Sequence, residues 1–201
     1  MKSIRENTEV IKSHYNHNPL MEWERTNDNT IEYIITTKML SRYIKPGDKV
    51  LDIGGGPGRY SIWLAQRGCD VTLFDLSESN IKFAKEKASK MGLKLKTICG
   101  NALDERLYPK ETFDHILVMG PMYHLFEAED RKKVIDNSLL HLKDKGKIYI
   151  AFINMFAGLL YYLDIDKSGF KSGLEYNPQY GKCLIENIGW NGMAFTEARF
   201  E

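Results

Sequence analysis

Between Val50 and Gly58 the chain reads Val-Leu-Asp-Ile-Gly-Gly-Gly-Pro-Gly. A glycine-rich turn between a strand and a helix lets the backbone approach a ligand closely, and the helix start offers unpaired N–H donors. The nicotinamide fingerprint G-x-G-x-x-G fails in both registers, because the third slot holds Arg59 or Ser61. What stands instead is Asp52-x-Gly54-x-Gly56-x-Gly58, with Gly55 inside it. About twenty residues later Asp75 closes an apolar run, where an acidic group can accept ribose hydroxyls. Further on come Gly100-Asn101-Ala102 and Met119-Gly120-Pro121-Met122-Tyr123-His124-Leu125. His124 is the candidate general base or acceptor-orienting group, and Tyr123 a wall or hydrogen-bond donor beside it. The plain alternative for His124 is a cap on the segment that follows.

The elements that must position these residues are legible from Lys49 onward. Short strand patterns at Val50–Ile53, Asp70–Asp75, Leu93–Cys99, Phe113–Met119 and Lys147–Ile153 alternate with helical ones at Tyr60–Gln66, 78–91 and Ala128–Leu142. Ser77 is placed to cap the second of these helices, with Ile81, Ala84, Ala88 and Met91 on one face. Val134, Ile135, Leu139 and Leu142 are the expected inward face of the third, and Lys145-Gly146 the turn before the last strand. Such alternation predicts an α/β fold, a Rossmann-like doubly wound, mostly parallel sheet with helices on both faces. Ligands of such sheets bind at the carboxyl ends of the strands, near the switch in strand order. Upstream, Asp28–Ile44 reads as a helix with Ile31, Ile34, Ile35 and Tyr43 inward, ended by Pro46-Gly47. The expected organisation is an N-terminal helical cap over 1–47, a core over 48–153 and a lid or truncated end over 154–201.

The glycine pattern resembles motif I of the class I S-adenosylmethionine-dependent methyltransferases, and the resemblance runs over about residues 48 to 153. It implies that Gly54 to Gly58 lie under the methionine and ribose of the cofactor and that Asp75 takes the ribose hydroxyls. It also implies that Leu76 covers the adenine and that Asn101-Ala102 reads its edge, Asn101 standing where the family often has Asp. Met119-Gly120 would offer a backbone carbonyl to the methionine ammonium. Arg25 is a candidate for the cofactor carboxylate, with Tyr15 closing over the same site; a surface helix turn with Trp23 packed inward is the other reading of that segment. The implied cofactor is S-adenosyl-L-methionine, leaving as S-adenosyl-L-homocysteine. The reading as a non-catalytic S-adenosylmethionine binder, or less readily an NAD-dependent oxidoreductase, stays open at this point.

Composition narrows the acceptor. Lys and Arg total 28 against 27 Asp and Glu, so the basic surplus of a phosphate-gripping protein is absent. Gly120-Pro121-Met122-Tyr123 lacks the Asn of the Asn-Pro-Pro-Tyr motif of adenine- and glutamine-methylating enzymes, and no cysteine stands nearby for cytosine-C5 chemistry. A small-molecule acceptor is expected, as in the ubiquinone-biosynthesis-like branch that Gly-Pro-x-Tyr-His-Leu resembles. Cys69, Cys99 and Cys183 are scattered, which argues against a zinc site or disulfide framework and suits a reducing cytoplasm. The N-terminus lacks the apolar core of a signal peptide, and the apolar stretch from Ile148 to Leu163 falls short of the ~20 residues of a membrane span. After Ile153 no pair of long strands is evident, although the family sheet ends in an antiparallel hairpin. The fifth strand, or an apolar helix over Met155–Leu163, would then be covered by a second copy, giving a homodimer.

Overall fold

The structure is a computed structural model that describes residues 4–152 apart from 26, 28, 29 and 126, with the backbone alone for residues 4–7 and 10. The elements run α1 (Ile4–His17), α2 (Pro19–Arg25), α3 (Ile31–Leu40), β1 (Lys49–Ile53), α4 (Arg59–Gln66), β2 (Asp70–Asp75), α5 (Glu78–Lys90), β3 (Lys96–Cys99), β4 (Phe113–Val118), α6 (Ala128–Leu140) and β5 (Leu142–Ile150). All five strands are parallel and stand in the order β3-β2-β1-β4-β5. The order reverses at β1, whose neighbours are β2 and β4, so a crevice opens between the chains leaving those strands.

Period-two alternation splits the apolar residues of each strand between the two faces. Leu51, Ile53, Phe74, Ile116 and Val118 form one core with Val134 of α6. Val50, Val71 and Leu117 form another with Leu40 of α3 and Leu64 of α4. Leu73 packs separately on Ile81 and Ala84 of α5. The Ser77 side chain accepts from the Asn80 N–H and caps α5, as its position predicts.

Several expectations need correction. The predicted inward residues Ile31, Ile34, Ile35 and Tyr43 are all exposed, Ile31 by 76%. The helix spans only Ile31–Leu40, and it faces the core through Tyr33 and Leu40 instead. Its apolar side chains lie on every side, so their spacing carries no facing information. Met91 caps α5 rather than continuing its inward face, and Leu139 is exposed at the end of α6. The third strand begins at Lys96, not Leu93. Leu142 opens β5 instead of closing α6, and the expected Lys145-Gly146 turn lies inside that strand as an irregularity. Lys145 there takes a left-handed φ of 65°. The expectations for Cys183, the Met155–Leu163 helix and the missing hairpin fall outside the described residues. Among the described residues no helix is long and apolar enough to cross a membrane.

Candidate cofactor and acceptor site

A cavity of about 490 Å³ opens at the carboxyl ends of β1, β2 and β4, a size usual for small-molecule and cofactor sites. Its floor is the glycine turn. Gly54, Gly55 and Gly56 line it, while Gly58 lies off the wall as the N-cap of α4, close to Ala84. A Cβ on Gly54 would stand 2.6 Å from Cδ of Pro121, and one on Gly120 would collide with the Gly54 carbonyl oxygen. Glycine at both places is therefore what lets the β1 and β4 loops touch. Gly56, at φ +58°, meets nothing nearer than Asn80 at 3.9 Å, so its backbone face is open to the cavity.

Asp75 ends β2 at the cavity wall and is buried. Its Oδ2 accepts from the Gly56 N–H at 2.8 Å, and its Oδ1 from the Ser77 N–H at 2.9 Å and Asn80 Nδ2 at 3.2 Å. Burial pushes its pKa up, and these three hydrogen bonds oppose the shift. A carboxylate has about four acceptor positions, so roughly one remains for a ligand hydroxyl, fewer than a ribose diol would use. Asp52 lies deeper, is fully buried and accepts from Ser61 Oγ at 2.6 Å. Burial raises its pKa to about 6 against that hydrogen bond, and the charge on Asp75 adds to the rise.

Leu76, Asn101 and Ala102 line the neighbouring wall after β2 and β3. Asn101 uses its Oδ1 to accept from the Leu103 N–H at 2.9 Å, so that oxygen is engaged in its own turn. After β4 come Met119, Gly120, Tyr123 and His124, all on the lining. His124 is buried, and its Nε2 lies 2.7 Å from the Tyr15 hydroxyl on α1. The Tyr123 ring packs 4.7 Å from the imidazole. His115 and His141 sit elsewhere: His115 contacts Asp48 at 3.2 Å and Tyr149 at 3.3 Å, and His141 stacks on Tyr108.

Arg25 lines the cavity but is held by two acids, its Nε on Glu22 at 3.0 Å and its Nη1 on Glu32 at 3.0 Å. Burial works to lower its pKa, and the two carboxylates more than offset this. Glu32, Arg59 and Tyr60 also line the site, and sequence reasoning did not single them out. The Arg59 guanidinium stands 4.3 Å from the Trp23 ring and 5.0 Å from that of Tyr33, a cation–π clamp. The available signal was its place directly after Gly58, the first residue of α4. Among the described residues no group of three acidic, His or Cys side chains is placed to hold a metal ion.

The residues thus fit an adenosyl amino acid: an open glycine backbone, a buried acid at the β2 end, a paired arginine and an enclosed β4 turn. Comparison with known proteins agrees. Residues 50–146 match the model of a methyltransferase domain. The chain is 30% identical over 158 residues to glycine/sarcosine N-methyltransferase of Aphanothece halophytica, covering 78% of this chain and 56% of that protein. It is 30% identical over 131 residues to ubiquinone biosynthesis O-methyltransferase of Rickettsia felis, covering 65% and 51%. The chain therefore spans about half the length of the curated relatives it matches. The N-methyltransferase NodS of Bradyrhizobium japonicum, solved with S-adenosyl-L-homocysteine, shares the fold with a TM-score of 0.54 at 23% identity, covering 66% of this chain and 72% of that one. Glycine turn, strand order and domain match converge: over residues 50–146 the chain carries a methyltransferase domain similar to those of the class I S-adenosylmethionine-dependent methyltransferases, a family whose cofactor is S-adenosylmethionine.

Proposed function

We propose that this chain transfers the methyl group of S-adenosylmethionine to a small-molecule hydroxyl or amine, in the cytoplasm. The observation that carries the reading is one cavity lined both by the glycine turn with Asp75 and by the Tyr15–His124 pair. Its named relatives include an N- and an O-methyltransferase of small molecules, which supports the acceptor class and leaves the acceptor atom open. The cofactor supplies an electrophilic methyl on a sulfonium that is its own leaving group. The chain's work is then to align the acceptor, exclude water and move a proton. Asp75 takes a ribose hydroxyl, Leu76 and Ala102 flank the base, and the Met119-Gly120 backbone meets the amino-acid end beside Arg25. His124 Nε2 receives the acceptor's proton once the acceptor takes the place of the Tyr15 hydroxyl. Residues 1–47 act as a cap and 48–153 as the cofactor-binding core, while 154–201 lie outside the described residues.

Calorimetric titration of the full chain with S-adenosylmethionine, S-adenosylhomocysteine and NAD tests the reading. Binding of the first two, weakened by Asp75→Ala, is the expected result; binding of NAD instead overturns it. The non-catalytic reading predicts retained cofactor binding with no turnover on any acceptor panel. We also propose a homodimer through the C-terminal region, since β5 is the outer strand on its side among the described residues. A monomeric mass by light scattering across micromolar concentrations would reject it.

A further inference from the structure

Two adjacent side chains of α1 dock on two different segments, Tyr15 on the cavity wall and Asn16 behind it. Tyr15 meets His124 at the β4 end. Asn16 meets the start of α5: its Oδ1 accepts from Ser77 Oγ–H at 2.7 Å and from the Ser79 N–H at 3.3 Å. Ser79 is in the first turn of α5, where backbone N–H groups have no partner within the helix. A side chain more than sixty residues away thus supplies part of the cap. Ser77 is fully buried, and its own N–H donates to Asp75 Oδ1. A run of hydrogen bonds therefore joins Asp75 to Asn16, and one peptide link carries it to Tyr15 and His124.

We infer that Asn16 is a positioning residue that docks α1 on the N-terminus of α5 and thereby sets the Tyr15 hydroxyl on His124. Neighbouring helix residues differ by a fixed rise of 1.5 Å and about a hundred degrees of rotation. Fixing Asn16 on Ser77 and Ser79 therefore fixes where the Tyr15 hydroxyl falls. A second α1–α5 link, Lys12 to Glu78 at 2.9 Å, is an exposed ion pair, a weak and salt-screened contact. The acceptor end of the site is consequently assembled on the same turn that holds Asp75. This role rests on the proposal that His124 faces the acceptor, but its test does not need an acceptor.

The experiment compares the imidazole nitrogen resonances of His124 in the unliganded full chain for wild type, Asn16→Ala, Asn16→Asp, Tyr15→Phe and the Asn16→Ala/Tyr15→Phe double variant. Tyr15→Phe moves the Nε2 resonance. Asn16→Ala is expected to move it the same way, and the double variant to match Tyr15→Phe alone, since contacts acting in series do not add. Asn16→Asp retains an acceptor oxygen and is expected to keep the wild-type resonance. Because Thr8, Ile11 and Tyr15 of α1 line the cavity, Asn16→Ala should also release S-adenosylhomocysteine about tenfold faster, the scale of one lost hydrogen bond. An unchanged His124 resonance in Asn16→Ala, or additive shifts in the double variant, would overturn the inference. Failure of S-adenosylhomocysteine to bind wild type would count against the proposed function alone. Alanine is a good helix former, so α1 is retained in the key variant, and circular dichroism verifies it.

Discussion

The Tyr15 hydroxyl and His124 Nε2 lie 2.7 Å apart although 109 residues separate them in the chain. Their rings meet edge to face at 5.4 Å, with an interplanar angle of 81°. One belongs to α1, which lines the cavity with Thr8 and Ile11, and the other to the turn after β4, so the contact joins two segments of the cavity wall. It also fixes the imidazole plane.

Loss of His124 should separate chemistry from binding. With an acceptor found by screening for S-adenosylhomocysteine release, His124→Ala is expected to lower kcat by about a hundredfold or more, the usual scale for general acid–base catalysis. Its affinity for S-adenosylhomocysteine should stay near wild type, because the imidazole faces the acceptor and the cofactor contacts proposed for its own segment are made by the Met119-Gly120 backbone. Tyr15→Phe should change kcat far less, because its hydroxyl leaves Nε2 when the acceptor binds. A His124→Ala enzyme with wild-type kcat would return His124 to a purely structural role.

Asp75 carries both a ligand position and three protein hydrogen bonds, so its removal has two consequences. Asp75→Ala is expected to weaken S-adenosylhomocysteine binding at least about tenfold and to lower stability, because the Gly56 and Ser77 N–H groups lose a charged acceptor. Asp75→Asn keeps one acceptor oxygen and should recover part of the stability but less of the affinity. Calorimetry and thermal unfolding on the same samples read the two effects apart.

How far the sequence carried depended on burial. Asp70–Asp75 and Phe113–Val118 are almost wholly buried parallel strands. Such strands read as continuous apolar runs bounded by turn residues, so their limits were legible to within a residue. The helix at Ile31–Leu40 misled for the opposite reason: apolar residues on all sides conceal which side faces inward, and tertiary packing chose Tyr33 and Leu40. The glycine turn and Asp75 were legible because their chemistry is local to a strand end. Glu32 beside Arg25, Arg59 between Trp23 and Tyr33, and Asn16 on Ser77 were not. Each is a pairing between distant segments, and spacing along the chain says nothing of it.

The Arg25 cluster offers a stability test. Glu22 is buried and accepts from Arg25 Nε, while the arginine side chain is 44% exposed. Truncating Arg25 to Ala leaves Glu22 with a lost charged partner, a change that costs 3–5 kcal/mol when both members are buried. Solvent screening at the exposed guanidinium reduces this to about 1–2 kcal/mol. Adding Glu22→Gln to Arg25→Ala should restore much of the loss. Urea unfolding of wild type and the two variants measures it; equal midpoints for Arg25→Ala and wild type would show that the pair contributes nothing.

Asp52 predicts how stability follows pH. Burial raises its pKa from 3.8 to about 6 in the folded chain, chiefly against the Ser61 hydrogen bond. A carboxyl whose folded pKa is raised binds its proton more tightly folded than unfolded. Its favourable contribution is therefore complete below the unfolded pKa and is lost as pH rises through about 6. At 1.36 kcal/mol per unit, the shift corresponds to roughly 2–3 kcal/mol between pH 4 and pH 8. Asp52→Asn cannot ionise, and its amide oxygen can still accept from Ser61. Relative to wild type, the variant should therefore gain about 2 kcal/mol on going from pH 4 to pH 8, measured by chemical unfolding without cofactor. Comparing the two proteins cancels most of the titration of the other carboxylates, apart from the coupling of Asp52 to Asp75. A difference that stays flat across this range would mean that Asp52 ionises in the folded chain as readily as in water. The buried position of its carboxyl at the root of the glycine turn would then cost the fold nothing.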